Sequence, residues 1–133
     1  MMAASERMLA LRQRMLDTGT DLLALGPGPN MHWVLGFHTH PDERPCLLLI
    51  TADRAGFLMP ALNVADAMAR CDLPMWTWSD ADGPDLALQQ ALHDLQATAA
   101  LKVAVDETMR ADFALLLLDA LPEASRSLAA ATL

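Results

Sequence analysis

Lysine, cysteine and long apolar runs are all scarce in this chain of 133 residues, and each scarcity excludes something. Nine basic residues stand against 17 acidic ones, which leaves a net charge of -8 at pH 7. A field of that sign repels phosphates and anionic head groups over a Debye length. Neither nucleic acid nor a membrane surface is therefore expected as a partner. The only lysine, Lys102, opens an apolar run. A phosphate-accepting receiver domain needs its lysine at the end of a late strand, so Asp80, Asp82 and Asp106 are not read as such a pocket. Apolar stretches such as Phe113 to Leu118 fall far short of the roughly 20 residues of a membrane-spanning helix. The first residues show neither an apolar core nor a small-residue cleavage site of a secretory signal, which makes the cytoplasm the expected location. Cys46 and Cys71 have no metal-binding spacing. Cys46 begins an apolar run, so a free buried thiol is expected there rather than a disulfide. Gly-rich phosphate loops, nucleophile elbows and Cys-His arrangements are missing as well.

What the chain does have is apolar content. Hydrophobic residues make up 53%, enough to offset an ordering cost on the order of 1.5 kcal/mol per residue. A chain of this length forms about one domain and buries roughly two-thirds of the surface its unfolded form exposes. Residues 1–133 are read as a single domain, with no internal repeat, linker or low-complexity tract.

Residues 5–18 set Met8, Leu11, Met15 and Leu9, Leu16 at helical spacing, with Gly19 as a left-handed stop. Asp21 to Leu25 reads as a buried strand, followed by a rigid turn at Gly26-Pro-Gly-Pro29. Asn30 is expected to cap a short helix that Gly36 ends. Cys46 to Thr51 and Gly56 to Met59 form the pattern of an antiparallel hairpin. Ala61 to Arg70 reads as a modest helix. Pro74 to Trp78 reads as a strand with Trp76 and Trp78 on one face. Asp82 is expected to cap a helix with the stripe Leu88, Leu92, Leu95 and Ala99. Lys102 to Asp106 is strand-like, Thr108 is expected to cap a helix that Pro122 stops, and Arg126 to Leu133 reads as an edge strand. The sum is an α/β fold, a mixed sheet with helices packed on it.

The densest polar cluster runs from His38 through His40 to Arg44. In an extended segment His38 and His40 face the same side, and with Asp42 or Glu43 they are candidate ligands for a divalent metal. Nothing else in the chain completes such a ligand set. The plainer alternatives are a solvated loop or a substrate-facing or subunit-facing loop that acts with another domain. His32 is read as a hydrogen-bonded structural residue, Trp76 and Trp78 as cover for a core, and His93 as solvent-facing without function.

The segment Asn30 to Phe37, Asn-Met-His-Trp-Val-Leu-Gly-Phe, resembles the Asn-x-x-Tyr-Leu-Thr-Gly-Phe signature of the creatinase, prolidase and aminopeptidase P family. The resemblance extends in order through the Arg-rich first helix ending at Gly19, the hairpin Cys46 to Met59, the Trp78-Ser-Asp80 turn and the strand Val103 to Asp106. Trp33 stands where the family usually has tyrosine, and Leu35 where it has threonine or serine. The signature residues are thus Asn30, Trp33, Gly36 and Phe37. They lie in the family's small N-terminal domain, whose fold is a mostly parallel mixed sheet with a hairpin, of ribonuclease H-like architecture. The resemblance implies a domain without catalytic residues or metal ligands of its own. Its expected partner is a C-terminal catalytic domain holding two divalent metals, manganese, cobalt or zinc. It further implies a homodimer in which this domain limits access of short proline-containing peptides to a neighbour's active site. His38, His40 and Arg44 are the substrate-adjacent candidates, within a parent protein expected to be a metal-dependent Xaa-Pro peptidase. The competing reading is a free-standing α/β interaction or small-molecule-binding module.

Overall fold

Two aliphatic tetrads, Leu22–Leu25 (β1) and Leu47–Ile50 (β2), are buried at every position and occupy the middle of a six-stranded sheet. An unbroken apolar run of this kind is what a strand covered on both faces requires. The computed structural model describes residues 3–100 and 102–133. The other strands are Ala55–Pro60 (β3), Met75–Trp78 (β4), Lys102–Val105 (β5) and Ser125–Leu128 (β6), and the order across the sheet is β4-β3-β2-β1-β5-β6. The pairs β1/β2 and β2/β3 are antiparallel, whereas β3/β4, β1/β5 and β5/β6 are parallel. Only β2 therefore opposes the others. This is the mixed, mostly parallel sheet with one hairpin that the sequence predicts.

Alternation along the strands divides their side chains between two layers. On one face Leu22, Ala24, Leu47, Leu49, Leu58 and Val103 meet Asp85–Asp94 (α4) and Ala111–Ala120 (α5) through Leu88, Leu92, Phe113 and Leu117. On the other, Leu23, Leu25, Leu48, Ile50 and Phe57 meet Ala4–Thr18 (α1) and Pro29–Leu35 (α2) through Leu11, Met15, Met31 and Val34. Val64–Met68 (α3) adds Ala67 to this second layer. Each fully buried side chain of this size contributes about 1.5–3 kcal/mol, so the domain carries a core on both faces of its sheet. Trp78 and Trp76 both join the first layer, as core cover. Their indole N–H groups donate to the Pro45 carbonyl at 2.9 Å and to Asp94 Oδ2 at 2.8 Å.

Several local expectations are corrected. In α1, Leu11 and Met15 are buried, but Leu9 and Leu16 are 68% and 64% exposed. Each lies one residue past a stripe position, a rotation of about 100° around the axis. Helix α4 begins at Asp85, with Pro84 before it. Asp82 instead accepts from Ser79 Oγ at 3.1 Å, inside a turn that Gly83 closes. The same helix stops at Asp94, so Ala99 lies exposed beyond it and Ala97 takes the buried place. Between β3 and β4, Ala61–Asn63 is a 3-10 turn and only Val64–Met68 is α-helical. Strand β6 ends at Leu128, and Ala129–Ala131 forms a 3-10 turn rather than extending the edge. Here the Ala130 N–H donates to Glu107 at 3.1 Å, and Thr132 and Thr20 share a hydroxyl hydrogen bond of 3.2 Å. Both contacts draw the chain back over the sheet.

Candidate functional site

Strand β1 leads through Gly26 into α2, whose first position is Pro29 and whose N-cap position is Gly28. Asn30 therefore lies inside the helix, and its side chain caps nothing there. It reaches instead to the end of the neighbouring parallel strand, where its Nδ2 donates to Asp106 Oδ1 at 2.9 Å and to Glu107 Oε1 at 3.4 Å. Asp106 is only 3% exposed. It also accepts from the Gly26 N–H at 3.1 Å, the Thr108 N–H at 2.8 Å and the Thr108 hydroxyl at 2.7 Å. Thr108 thus spends both donors on Asp106, and α5 starts after Arg110 instead. One buried carboxylate ties together the exit of β1, the start of α2 and the exit of β5. A buried acceptor satisfied by this many donors is strongly directional.

Helix α2 is held inwards by Met31 and Val34, which leaves His32 and Trp33 on its outer side. Trp33 is 40% exposed. Gly36, at φ 85°, closes the helix in a conformation that disfavours a side chain, and its N–H donates to the His32 carbonyl at 2.7 Å. Phe37 is half-buried, with the Arg70 guanidinium 5.6 Å from its ring centroid. In the loop that follows, His38 and His40 are exposed on either side of buried Thr39, whose hydroxyl lies 3.3 Å from Cys46 Sγ. The expected alternation of the two histidines holds. His38 Nδ1 lies 2.9 Å from the Thr39 carbonyl, and its ring centroid is 5.7 Å from that of His32. His32, expected to be a structural residue, is exposed next to this loop.

Arg44 stands apart from the histidines in its bonding. Its Nε and Nη2 grip both oxygens of Asp80, each at 2.9 Å, and its Nη1 lies 3.5 Å from Glu43 and 3.8 Å from Asp42. These hydrogen bonds and the adjacent charge hold the Asp80 carboxyl below the usual aspartate range and raise Arg44. The planar fork of a guanidinium matches a carboxylate bidentately, and Asp80 already fills it. Arg44 thereby fastens the loop to the end of β4. Cys46, at the loop's far end, is buried and unpaired, and burial pushes its thiol up to about 11. Among the described residues no group of three or more His, Cys, Asp or Glu side chains converges as a metal site, so His38 and His40 are not joined by Asp42 or Glu43. No helix of the described residues is long and apolar enough to cross a membrane.

Two features escaped sequence reasoning. The Asn30–Asp106 pair becomes visible only once β1 and β5 are known to be neighbours. The second is a cleft of about 440 Å³ between α1 and α2, lined by Arg14, Asn30, Trp33 and Leu133.

The family model of the creatinase/prolidase N-terminal domain matches residues 7–132. This chain belongs to that family. Among solved structures, a dipeptidase from Pyrococcus horikoshii matches with a TM-score of 0.82 and 22% identity, over 95% of this chain and 35% of that one. A prolidase from Thermococcus sibiricus matches with a TM-score of 0.85 and 18% identity, over 99% and 36%. The creatinase/prolidase N-terminal domain of an X-Pro dipeptidase from Streptococcus pyogenes matches with a TM-score of 0.76 and 20% identity, over 90% and 91%. The present creatinase/prolidase N-terminal domain thus spans about a third of the length of the archaeal proteins. At these identities the structural likeness establishes the fold. No curated protein sequence matches the chain.

Proposed function

We propose that this domain is the non-catalytic N-terminal part of a metal-dependent Xaa-Pro peptidase, and that it contributes to dimerisation and limits substrate access at a neighbouring subunit's active site. The family match over residues 7–132 carries this reading. The local geometry is compatible with it. Asn30 and Asp106 pin α2 to the sheet, and Arg44 with Asp80 pins the far end of the loop. Between these anchors His38 and His40 project outwards. The His38 Nδ1–H is given to the Thr39 carbonyl, which leaves its Nε2, together with the His40 ring, for hydrogen bonds to the polar groups of a short peptide. A site held on fixed supports positions such a group without an ordering cost at each binding event. The role of Arg44 in this scheme is to orient the loop, because its own fork is engaged by Asp80.

The family implies two divalent metals, manganese, cobalt or zinc. In this reading their ligands and the hydrolytic step are supplied by a C-terminal catalytic domain. The test begins with the gene. A reading frame that continues past Leu133 into a domain with two Asp, one His and two Glu ligands is expected. The protein it encodes should hold its metals and cleave an X-Pro dipeptide. In that protein His38→Ala should lower kcat/KM by about 1–3 kcal/mol, the scale of a hydrogen bond to a charged group, with metal content unchanged. Unaltered kinetics for both His38→Ala and His40→Ala would remove the loop from the substrate path.

A further inference from the structure

We propose that the cleft between α1 and α2 seats the polypeptide that leads from this domain into the catalytic domain. The inference rests on the reading above of a longer peptidase, and it assigns that partner a docking surface.

The cleft offers about 440 Å³ between Arg14, Asn30, Trp33 and Leu133, room for a few side chains. Met31 and Val34 hold the signature helix inwards, and on its outer side, beside exposed His32, the large apolar ring of Trp33 remains 40% exposed at the wall of the cleft. An exposed aromatic with a polar edge is a preferred anchor for a partner segment. The matched family domain ends at residue 132, and the chain there is steered to the rim of this cleft. The Ala130 N–H bonds Glu107, Thr132 is 2% exposed and bonds Thr20, and the Leu133 N–H donates to the Ala129 carbonyl at 2.8 Å. The Leu133 carbonyl then receives Arg14 Nη1 at 2.6 Å. In the Streptococcus pyogenes protein this fold is the N-terminal domain, and the two archaeal chains extend to about three times its length. A chain that continues from the position of residue 132 in such an arrangement starts inside the cleft. Arg14, on the wall of the cleft, favours an acceptor oxygen in the occupant, and Trp33 favours an apolar side chain beside it.

The experiment compares the longer protein with the 133-residue chain, both labelled with 5-fluorotryptophan. The short form is usable because it has a core on both faces of its sheet and because the Streptococcus pyogenes N-terminal domain was crystallised on its own. A Trp33→Phe variant assigns the Trp33 resonance. Broadening by a soluble gadolinium chelate then reports its exposure. Trp33 should be broadened in the short chain and protected several-fold in the longer protein, while Trp76 responds alike in both. Arg14→Glu in the longer protein should restore part of the broadening, and Leu115→Glu, on the opposite helical layer, should not. Equal broadening of Trp33 in both proteins overturns the proposal. If that longer protein still binds metal and cleaves X-Pro, the proposed function survives it. Protection that appears in the short chain alone as its concentration rises identifies a second copy as the occupant and also overturns the proposal. A reading frame without a metal-ligating domain overturns both readings together.

Discussion

Asp106→Ala should be among the most damaging substitutions in this domain, although no chemistry is assigned to Asp106. The wild-type carboxylate is 3% exposed and accepts from Gly26, from Asn30 and twice from Thr108, over distances of 2.7–3.1 Å. Hydrogen bonds to a charged group are worth about 1.5–3 kcal/mol each, and a donor left buried without a partner carries its full desolvation cost. The donors of Thr108, an exposed residue, can turn to water. The Gly26 N–H cannot do so readily, because it sits in buried surroundings, and the partly buried Asn30 amide is left with only its longer contact to Glu107. Two lost bonds of this kind give an expected destabilisation of about 3–5 kcal/mol. That is a large share of the roughly 5–15 kcal/mol typical of a domain. Urea unfolding followed by circular dichroism should show the midpoint falling at constant slope, which marks a change in stability rather than in compactness. Asn30→Ala should cost less, about 1–2 kcal/mol, since Asp106 keeps three donors. The double variant should cost less than the sum of the two. A loss below about 1 kcal/mol for Asp106→Ala would refute the reasoning, because it would mean that these donors find water in the folded state.

Three further outcomes follow from the same structure. Because burial raises Cys46 to about 11 while Cys71 is only partly buried, one thiol should react readily with a thiol reagent near neutral pH and the second only on unfolding; equal rates would contradict the buried site. Gly56→Ala places a Cβ against the Trp76 ring and 2.9 Å from the Pro74 carbonyl, so it should cost about 1–3 kcal/mol by thermal unfolding, and a neutral effect would show that β4 yields easily. Hydrogen bonds from Arg44 lower Asp80, and those from Trp76, then His93 and Gln90, lower Asp94. The folded state therefore binds fewer protons at these groups than the unfolded chain, and their contribution is present above the ordinary aspartate range and lost as pH falls through the lowered values. Between about pH 6 and about pH 3, urea midpoints should thus decline less in Asp80→Asn than in the wild type, with the difference shrinking at high salt.

The sequence displayed its strands more faithfully than its helix starts, for a physical reason. Leu22–Leu25 and Leu47–Ile50 are apolar at every position, and a strand buried on both faces needs nothing beyond that local pattern. Gly19 and Gly36 also mark helix ends by a local rule, their left-handed backbone. Asn30, Asp82 and Thr108 failed together as caps. Each has a residue type that suits an N-cap, and each spends its side chain on another partner: Asp106, Ser79 and Asp106 again. Propensity states what a side chain can do, and tertiary neighbours decide what it does. Two residues 76 positions apart become partners only when β1 and β5 align in parallel.

The same distinction separates the two halves of the candidate site. Composition alone drew attention to the loop from His38 to Arg44, and the alternation of exposed His38, buried Thr39 and exposed His40 follows from an extended backbone. Composition could not reveal that Arg44 is committed to Asp80, 36 residues away. That commitment changes the chemistry expected of the loop. A guanidinium free in solution is a carboxylate receptor, whereas one gripped by a bidentate aspartate is a brace. Together with the Asn30–Asp106 pair it fixes both ends of the segment that presents the imidazoles. The proposed role in limiting substrate access needs this arrangement, because an outward side chain contributes selectivity only if its backbone does not move aside. The residues whose distant partners local reasoning could not see, Asn30 and Arg44, are therefore the ones that brace the segment carrying the exposed histidines.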